Sequence, residues 1–376
     1  MKKLLFITGT RADYGKIKSL ITSVERSSLF EAYVFVSGMH LLEKYGSTYM
    51  EVQKDGYKNI YVDFSQTNIG NMSYDLGNVI QNLTAYVMHI KPDMIVVHGD
   101  RIDALAGAIV GALNNILVAH IEGGEVSGTI DESTRHAISK YAHIHFVCNE
   151  VAKRRLIQLG EESNRIFVIG SPDIDILISN SLPSIEDAKS WYEIPFEKWG
   201  ILMYHPVTTE VGELRRKIRE VVDAVISSKR NYIVIYPNND MGTDIILNEY
   251  ERLRNNNRFR LYPSIRFEYF LTLLRHSDFM IGNSSAGVRE TGVYGIPSID
   301  IGSRQKGRYL DTIGNIQHVN EDETEILNAI DCIDNYRIQS FEYGKGNSTE
   351  QFMEIVSKED VWKISIQKKF IDCVKI

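Results

Sequence analysis

The stretch "DMIVVHGDRIDALAGAIVGALNNILVAHIEGG", residues 93–124, decides the fold class. Two short apolar runs, at 94–97 and 116–121, flank a segment rich in alanine and glycine that ends at Asn114 and Asn115. These asparagines interrupt the longest apolar stretch, so the pattern favours strand, buried helix and strand over a membrane span. A helix between two buried strands is typical of a parallel sheet that is covered on both faces.

The same alternation continues along the chain in two series, which a proline-containing segment at 180–200 separates. Apolar runs at 3–9, 32–38, 59–64, 143–149 and 165–171 complete the first series of predicted strands. The second series has predicted strands at 200–206, 231–238, 258–264, 278–285 and 297–303, with helices at 210–229, 243–254 and 266–278. We therefore predict an α/β protein with two doubly wound, Rossmann-like domains that face each other across a cleft. The predicted boundaries are 1–180, 198–358 and a C-terminal helix at 359–376 that packs back on the first domain.

Length and composition support this organisation and exclude some partners. A chain of 376 residues exceeds the size at which a single core usually stops growing. The net charge of -7, without a basic face, argues against nucleic acid. Three widely spaced cysteines, Cys148, Cys332 and Cys373, indicate a reducing compartment, and the first apolar run is too short for a signal peptide. We expect a cytoplasmic protein with no membrane partner.

The motif "GNSSAGVRETG", residues 282–292, predicts a phosphate pocket after a strand of the second domain. Ser284 and Ser285 open a helix whose free N–H groups and dipole favour an anion. Gly287 would let the ligand approach, and Glu290 would accept hydrogen bonds from ribose hydroxyls. The alternative is that a serine only caps the helix. No Walker ending follows, so a nucleotide sugar suits the motif better than ATP.

Other polar residues follow strands at the same predicted edge. Arg11 follows the first strand with Lys16 one turn later, where cations would meet an anionic ligand. His205 follows the first strand of the second domain, where an imidazolium would meet a diphosphate. Asp100 either caps the helix beginning at Arg101 or serves as a catalytic carboxylate, and spacing does not separate the two.

The stretch 119–143 concentrates acids and histidines after another strand. No pair has a zinc spacing, so we predict no metal site. Glu122 leaves the strand as an acid/base candidate. Thr129 and Glu132 fit a capping box, and Asp131 would pair with Arg135 four residues on. His136 is expected to be structural, and Glu125 has no assigned role.

In their combination these motifs resemble the hydrolysing UDP-N-acetylglucosamine 2-epimerases of sialic acid biosynthesis. The segments that carry the resemblance are "TGTRADYGK" at 8–16, "HGDR" at 98–101, 120–140, "YHPVTTE" at 204–210, "YPNND" at 236–240, "SIRFEYF" at 264–270, "IGNSSAGVRE" at 281–290 and "IGSRQKGR" at 301–308. The resemblance implies a glycosyltransferase-B-like fold, no redox cofactor, homodimers, and conversion of UDP-GlcNAc and water to N-acetylmannosamine and UDP.

The resemblance also implies roles for individual residues. The acid/base carboxylates would be Asp100, Glu122 and Asp131, with His205 beside the diphosphate. The nucleotide contacts would be Arg11, Arg101, Asn238, Phe267, Ser284, Ser285, Glu290 and Arg304. Relatives that do not hydrolyse commonly read "HVEAG" and carry glutamate at the position of Asp131, so "HIEGGE" at 120–125 and "TIDES" at 129–133 resemble the hydrolysing branch.

The implied reaction eliminates UDP to give a glycal, to which water adds with inversion at carbon 2. Either Glu122 or Asp131 would be the base at carbon 2, and Asp100 would assist hydration. A glycosyltransferase and a nucleotide-sugar-binding regulator are the alternatives on the same fold, but neither explains three carboxylates. The sugar stays open, since a 4-acetamido-4,6-dideoxy relative of UDP-GlcNAc, on the way to legionaminic acid, also fits.

Overall fold

A computed structural model describes residues 1–66, 70–127, 129–179, 182–309 and 313–372. The chain folds into two compact α/β units. Unit 1 comprises Met1–Glu125, Asp131–Ile176 and Tyr343–Ile376, and unit 2 comprises Val126–Ile130 and Leu177–Glu342. Cys373 lies outside the described residues. Within those residues no helix is both long and apolar enough to cross a membrane.

Unit 1 is built on a seven-stranded parallel sheet in the order β3-β2-β1-β4-β5-β6-β7. Its strands are β1 (Lys2–Thr8), β2 (Phe30–Val36), β3 (Ile60–Val62), β4 (Met94–His98), β5 (Leu117–Ile121), β6 (Ile144–Val147) and β7 (Ile166–Val168). The strands β1, β4, β5 and β6 are almost wholly apolar and buried, as expected for strands covered on both faces. The strand order reverses between β1 and β4, which is the switch point at which such sheets bind ligands.

Helices cover both faces of this sheet and bury its apolar side chains. They are α1 (Arg11–Arg26), α2 (Tyr49–Lys54), α3 (Met72–Ile90), α4 (Ile102–Leu113), α5 (Ile130–Tyr141), α6 (Glu150–Gln158) and α7 (Pro172–Leu177). Short 3-10 turns occupy Gly38–Leu41, Glu43–Tyr45 and Ser163–Arg165. Thr10 and Asp13 form a reciprocal capping box at the start of α1. This box fixes the first turn that follows β1.

Unit 2 repeats the design with a six-stranded parallel sheet in the order β10-β9-β8-β11-β12-β13. Its strands are β8 (Gly200–Met203), β9 (Tyr232–Ile235), β10 (Phe259–Tyr262), β11 (Phe279–Gly282), β12 (Ser298–Ile301) and β13 (Ile316–Val319). Its helices are α8 (Ile185–Trp191), α9 (Val211–Ser227), α10 (Thr243–Tyr250), α11 (Phe267–Arg275), α12 (Ala286–Tyr294) and α13 (Glu323–Asp331), with 3-10 turns at Thr208–Glu210, Glu251–Leu253 and Ile333–Tyr336. The prediction of two parallel-sheet α/β domains is confirmed, although the sequence analysis missed β13.

The proline-containing segment at 180–200 belongs to unit 2 where the structure describes it. Ser184 caps α8 by accepting a hydrogen bond from the Asp187 N–H group. Farther along, Phe196 and Trp199 are buried, and the indole N–H of Trp199 donates to the Leu273 carbonyl. The segment is therefore folded onto its own unit.

The chain returns to unit 1 at Tyr343, which lies earlier than the boundary of 358 expected from the sequence. Helix α14 (Ser348–Val356) belongs to unit 1 because Phe352 is wholly buried against Phe146, with ring centroids 4.9 Å apart. Both carboxylate oxygens of Asp175 accept hydrogen bonds from N–H groups of the first turn of α14.

The expected C-terminal helix is only one turn, α15 (Glu359–Trp362). The chain beyond it is not helical as far as residue 372. Its polar groups bond to unit 1 instead: the Ser365 carbonyl accepts from Arg165 at 3.1 Å, and the Ile366 carbonyl lies 3.0 Å from His143 Nε2. These tertiary hydrogen bonds replace those of a continuing helix.

Candidate active site

Asp100 leaves the carboxyl end of β4 and forms an ion pair with Arg135 of α5. Arg135 is buried, and its guanidinium also donates to the Glu125 carbonyl at 3.3 Å. Helix α4 begins at Ile102 with Arg101 at the N-cap position, so Asp100 precedes the cap. Of the two readings of Asp100, the structure therefore disfavours the helix cap and leaves a carboxylate held by a buried cation.

Glu122 leaves β5, which pairs with β4 along its length. Its φ of 66° lies in the left-handed region, which a glutamate adopts only when its surroundings fix it. Ser171 donates a hydrogen bond of 2.6 Å to Glu122 Oε1, and His98 Nε2 lies 3.3 Å from Oε2. The carboxylate is thus buried and contacted on both oxygens.

Asp131 lies in the first turn of α5 and is 7 % exposed. It stands one turn before Arg135 on the same helix face, because residues four apart in a helix are neighbours. Arg135 also reaches Asp100, so α5 links Asp131 to the end of β4. The next residue, Glu132, is half-buried and lies 3.5 Å from His136, and its expected capping box with Thr129 stays a prediction.

His120 is fully buried and links β5 to the turn after β4 and to α5. Its Nε2–H donates to the Gly99 carbonyl at 2.8 Å, and its Nδ1 lies 3.1 Å from the Ser139 hydroxyl on α5. Burial lowers the pKa of His120 to about 3. The neighbouring His145 and His98 add to this effect, and the hydrogen bond to Gly99 and the charge of Glu122 oppose it. The ring is therefore neutral, and it links β5 to α5 and to the backbone next to Asp100.

The two predicted cations of α1 both have acidic partners inside unit 1. Arg11 forms a two-point ion pair with Glu51 of α2, with its Nε 2.9 Å from Glu51 Oε2. Lys16 is nearly buried, and its Nζ lies 3.2 Å from the wholly buried Asp173 carboxylate. The Lys16 side chain therefore forms a buried ion pair within unit 1. Its contact with substrate stays a prediction.

At the carboxyl end of β8 in unit 2, the side chain of Asn283 holds the backbone of His205. Asn283 Oδ1 accepts from the His205 N–H at 2.7 Å, and its Nδ2 donates to the His205 carbonyl at 2.9 Å. The backbone N–H of Asn238 donates to His205 Nδ1 at 3.2 Å. An accepting Nδ1 carries no proton, so the ring is neutral and presents Nε2–H, in place of the imidazolium expected from the sequence.

The phosphate motif folds as predicted into the turn between β11 and α12. Ser284 is buried and Ser285 takes the N-cap position, where its hydroxyl makes no capping hydrogen bond. Ser284 Oγ accepts from the Ala286 N–H at 3.3 Å. Of the two serines, only Ser284 therefore acts as a helix cap, and it does so through one long hydrogen bond. The positive end of the α12 dipole is still present at its N-terminus.

Gly287 has a packing role that the sequence did not predict, and its expected role toward the ligand stays a prediction. A Cβ atom at this position would lie 2.7 Å from Ser298 Oγ on β12. The glycine therefore lets α12 approach its own sheet. Glu290, one turn later, is 2 % exposed, so its carboxylate is held within the protein.

The remaining predicted nucleotide contacts are divided between the two units. Phe267 is the first residue of α11 and is buried. Arg304 donates to the Asn283 carbonyl at 3.1 Å and is fixed beside the same turn as the two serines. Arg101 lies in unit 1 as the N-cap residue of α4. Within the described residues, no three histidine, cysteine, aspartate or glutamate side chains are grouped to hold a metal ion.

Three residues of this architecture escaped the sequence analysis. His98 and Ser171 contact Glu122, and Asn283 positions His205. All three end or follow strands, so the rule that singled out Asp100 and Glu122 would also have selected them. Sequence spacing gives no sign of which side chains share a partner.

A family model described as UDP-N-acetylglucosamine 2-epimerase matches residues 22–357. This chain belongs to that family. A protein of Neisseria meningitidis serogroup B named UDP-N-acetylglucosamine 2-epimerase is 46% identical over 99% of both chains. The UDP-N,N'-diacetylbacillosamine 2-epimerase (hydrolyzing) of Legionella pneumophila is 32% identical over 95% of this chain and 96% of the relative.

Two further similarities concern pathway and fold. The polysialic acid biosynthesis protein P7 of Escherichia coli is 31% identical over 82% of this chain and 80% of its own. The solved structure of Methanocaldococcus jannaschii UDP-GlcNAc 2-epimerase with UDP-GlcNAc and UDP superposes with a TM-score of 0.81, covering 94% of this chain and 99% of that one at 20% identity. At that identity the match establishes the fold.

Proposed function

We propose that this chain is a hydrolysing UDP-N-acetylglucosamine 2-epimerase that converts UDP-GlcNAc and water to N-acetylmannosamine and UDP. The observation that carries the proposal is the set of carboxylates in unit 1. Asp100 and Glu122 follow neighbouring strands, and Asp131 opens the helix whose Arg135 binds Asp100. A protein that only binds nucleotide sugar has no need of three such groups.

The first half of the reaction breaks two bonds of the sugar. A carboxylate takes the proton from carbon 2, the bond between carbon 1 and the diphosphate oxygen breaks, and its electron pair leaves with UDP. A double bond then joins carbons 1 and 2. We assign proton removal to Glu122 or Asp131, because each is buried and belongs to the same end of unit 1.

The second half adds water across that double bond. The oxygen of water bonds to carbon 1 as the water gives up a proton. A proton is delivered to carbon 2 on the face opposite to the one from which the first proton was removed. This step needs a general acid and a general base with different proton affinities. We assign Asp100 to hydration, since its ion pair with the buried Arg135 favours the ionised carboxylate.

Unit 2 supplies the groups that suit the departing diphosphate. The N-terminus of α12 carries Ser284 and Ser285, and the neutral His205 presents Nε2–H as a donor. Donors fixed in advance stabilise a leaving anion most effectively. Arg304 is positioned beside the same turn, and we assign Glu290 to the ribose hydroxyls. Asn238 and Phe267 complete the proposed nucleotide contacts with Arg11 and Arg101.

Hydrolysis is supported by two relatives whose names specify it and which are 32% and 30% identical to this chain. Relatives named UDP-N-acetylglucosamine 2-epimerase without that term are 46%, 22% and 23% identical, so the names alone do not separate the two reactions. Asp131, where non-hydrolysing relatives commonly carry glutamate, favours hydrolysis.

UDP-GlcNAc is favoured as the substrate, and UDP-2,4-diacetamido-2,4,6-trideoxyglucose is the alternative. The relative named for UDP-N-acetylglucosamine is 46% identical, against 32% for the one named for UDP-N,N'-diacetylbacillosamine. The purified protein is incubated with each sugar nucleotide, and products are followed by phosphorus NMR and chromatography. Faster release of UDP from UDP-GlcNAc than from the alternative substrate, with free N-acetylmannosamine as the other product, supports the proposal. Accumulation of UDP-ManNAc supports the non-hydrolysing reaction, and no turnover of either sugar excludes the assignment.

We place this activity in the cytoplasm, at the entry to sialic acid biosynthesis for capsule polysaccharide. The similarity to the polysialic acid biosynthesis protein P7 supports that pathway. We also propose a homodimer, which light scattering on the purified chain tests directly. A mass of 42.9 kDa would contradict it.

A further inference from the structure

Ser171 is buried beside Glu122, and contacts with the chain at Tyr343 and Gly344 fix its backbone. It follows β7, and its N–H group donates to the Tyr343 carbonyl at 2.7 Å. Gly170, with φ 79°, approaches Gly344 so closely that an added Cβ would lie 3.0 Å from its Cα atom. The position of Ser171 is therefore fixed by the segment that returns the chain to unit 1.

The Ser171 hydroxyl donates a hydrogen bond to one carboxylate oxygen of Glu122. It donates to Oε1 at 2.6 Å, which lies in the normal range for a hydroxyl that donates to an ionised carboxylate. The other oxygen, Oε2, lies 3.3 Å from His98 Nε2. A second titratable ring, His120, lies close enough to sense the charge of Glu122.

The backbone of Glu122 requires such restraint. Its φ of 66° is unfavourable for a side chain with a Cβ atom, and its N–H donates to the Phe146 carbonyl at 2.9 Å. Residues in this conformation persist when their surroundings determine them, and they cluster at functional sites. The backbone conformation of Glu122 is therefore fixed by its surroundings, and its carboxylate is held by the hydrogen bond from Ser171.

We propose that Ser171 is a positioning residue that orients Glu122 for proton transfer at carbon 2 of the substrate. Ser171 holds Oε1, so the proton is taken by Oε2, on the side of His98. This inference rests on the proposed function for its kinetic consequence, but the orientation and ionisation of Glu122 are properties of the protein alone. A serine that served packing only would affect folding and leave both properties unchanged.

The test compares Ser171→Ala with Ser171→Cys, whose thiol is a weak donor of similar size. We expect Ser171→Ala to lower kcat about 10- to 100-fold with KM within about twofold, as for a displaced catalytic group. The acidic limb of the kcat–pH profile moves to higher pH, because the ionised carboxylate loses a hydrogen bond. Ser171→Cys recovers part of the rate. Ser277→Ala is the matched control, since Ser277 is also a buried serine whose hydroxyl donates a hydrogen bond, but to the backbone carbonyl of Leu274 in unit 2.

A second readout does not depend on turnover. Protein labelled with carbon-13 at glutamate carboxyls is titrated by NMR, and Glu122→Gln identifies the signal of Glu122. We expect the titration midpoint of this signal to rise in Ser171→Ala and to stay unchanged in Ser277→Ala. An unchanged midpoint, or a kcat within twofold of the wild type, overturns the proposal. A shifted midpoint in a protein that turns over neither UDP sugar supports the role of Ser171 and excludes the proposed function.

Discussion

At the scale of single residues, two adjacent acids at the start of α5 have opposite environments. Asp131 is 7 % exposed and shares a helix face with Arg135, whereas Glu132 is half-buried and lies beside His136. Proton transfer demands a group that is fixed within the site, and capping demands only one at the helix end. The proposed mechanism therefore assigns catalysis to Asp131 and structure to its neighbour.

Replacing Asp131 with asparagine removes the ionisable group and keeps the size of the side chain. We expect kcat to fall on the order of 100-fold, the usual contribution of a general acid or base. Glu132→Gln is the matched control and keeps kcat within about twofold. Steady-state release of UDP measures both. Equal losses in the two variants would contradict the distinction between them.

The tautomer of His205 gives a second prediction at this scale. The Asn238 N–H fixes Nδ1 as the acceptor, so His205 stabilises the leaving group through Nε2–H alone. We expect His205→Ala to lower kcat/KM on the order of 100-fold, as when one preorganised donor is lost. His205→Gln retains more activity because its amide N–H replaces Nε2–H. If glutamine is no better than alanine, donation is not the role of His205.

At the scale of elements, α5 is held at both ends. Its first turns carry Asp131 and Arg135, and Lys368 binds its last carbonyls, lying 3.1 Å from the Ser139 oxygen and 2.7 Å from the Ala142 oxygen. A cation at a helix C-terminus interacts favourably with the helix dipole. Lys368 also forms a salt bridge with the buried Glu161. The C-terminal segment thus stabilises the helix on which the proposed catalysis depends.

We expect Lys368→Met to lower the free energy of unfolding by about 1.5–3 kcal/mol, the cost of losing hydrogen bonds from a charged donor. Urea unfolding at neutral pH measures the change. Lys363→Met is the control, because Lys363 is 67% exposed and pairs with exposed acids, so its loss costs less than about 1 kcal/mol. Similar effects of the two substitutions would show that the C-terminal segment does not support α5.

At the scale of the whole molecule, buried histidines of unit 1 set the response to pH. Burial lowers the pKa of His40 and His143 to about 4 and that of His120 to about 3. In the unfolded chain these groups take up protons below pH about 6.5. Their contribution to stability is therefore complete above pH 6.5 and is lost as the pH falls towards 4.

One carboxyl opposes this trend. Burial raises the pKa of Asp103 to about 6, so the folded chain binds its proton first. Burial also lowers the pKa of His145. With four histidines against one aspartate, we expect the free energy of unfolding to fall by about 2 to 4 kcal/mol per pH unit near pH 5. Urea unfolding at pH 7, 6, 5 and 4 tests this dependence. Constant or rising stability between pH 6.5 and 5 would contradict it.

The sequence predicted much of the fold because its buried strands are nearly continuous apolar runs. Strand β13 was missed because "IQHV", residues 316–319, has two adjacent polar residues and lies at the edge of the sheet, so it is not an apolar run. Contacts between distant residues were also beyond reach: Ser171 and Glu122 are 49 positions apart. The close approach of Gly287 to Ser298 was beyond reach for the same reason, since Ser298 comes from the following strand.

The central claim is that the reaction proceeds by loss of the proton from carbon 2, release of UDP and addition of water. The measurement that tests it most directly is mass spectrometry and proton NMR of the sugar formed from UDP-GlcNAc in deuterated water. We expect free N-acetylmannosamine with one deuterium at carbon 2, formed together with UDP. N-acetylmannosamine that retains the original proton at carbon 2, or a deuterated sugar still attached to UDP, would contradict it.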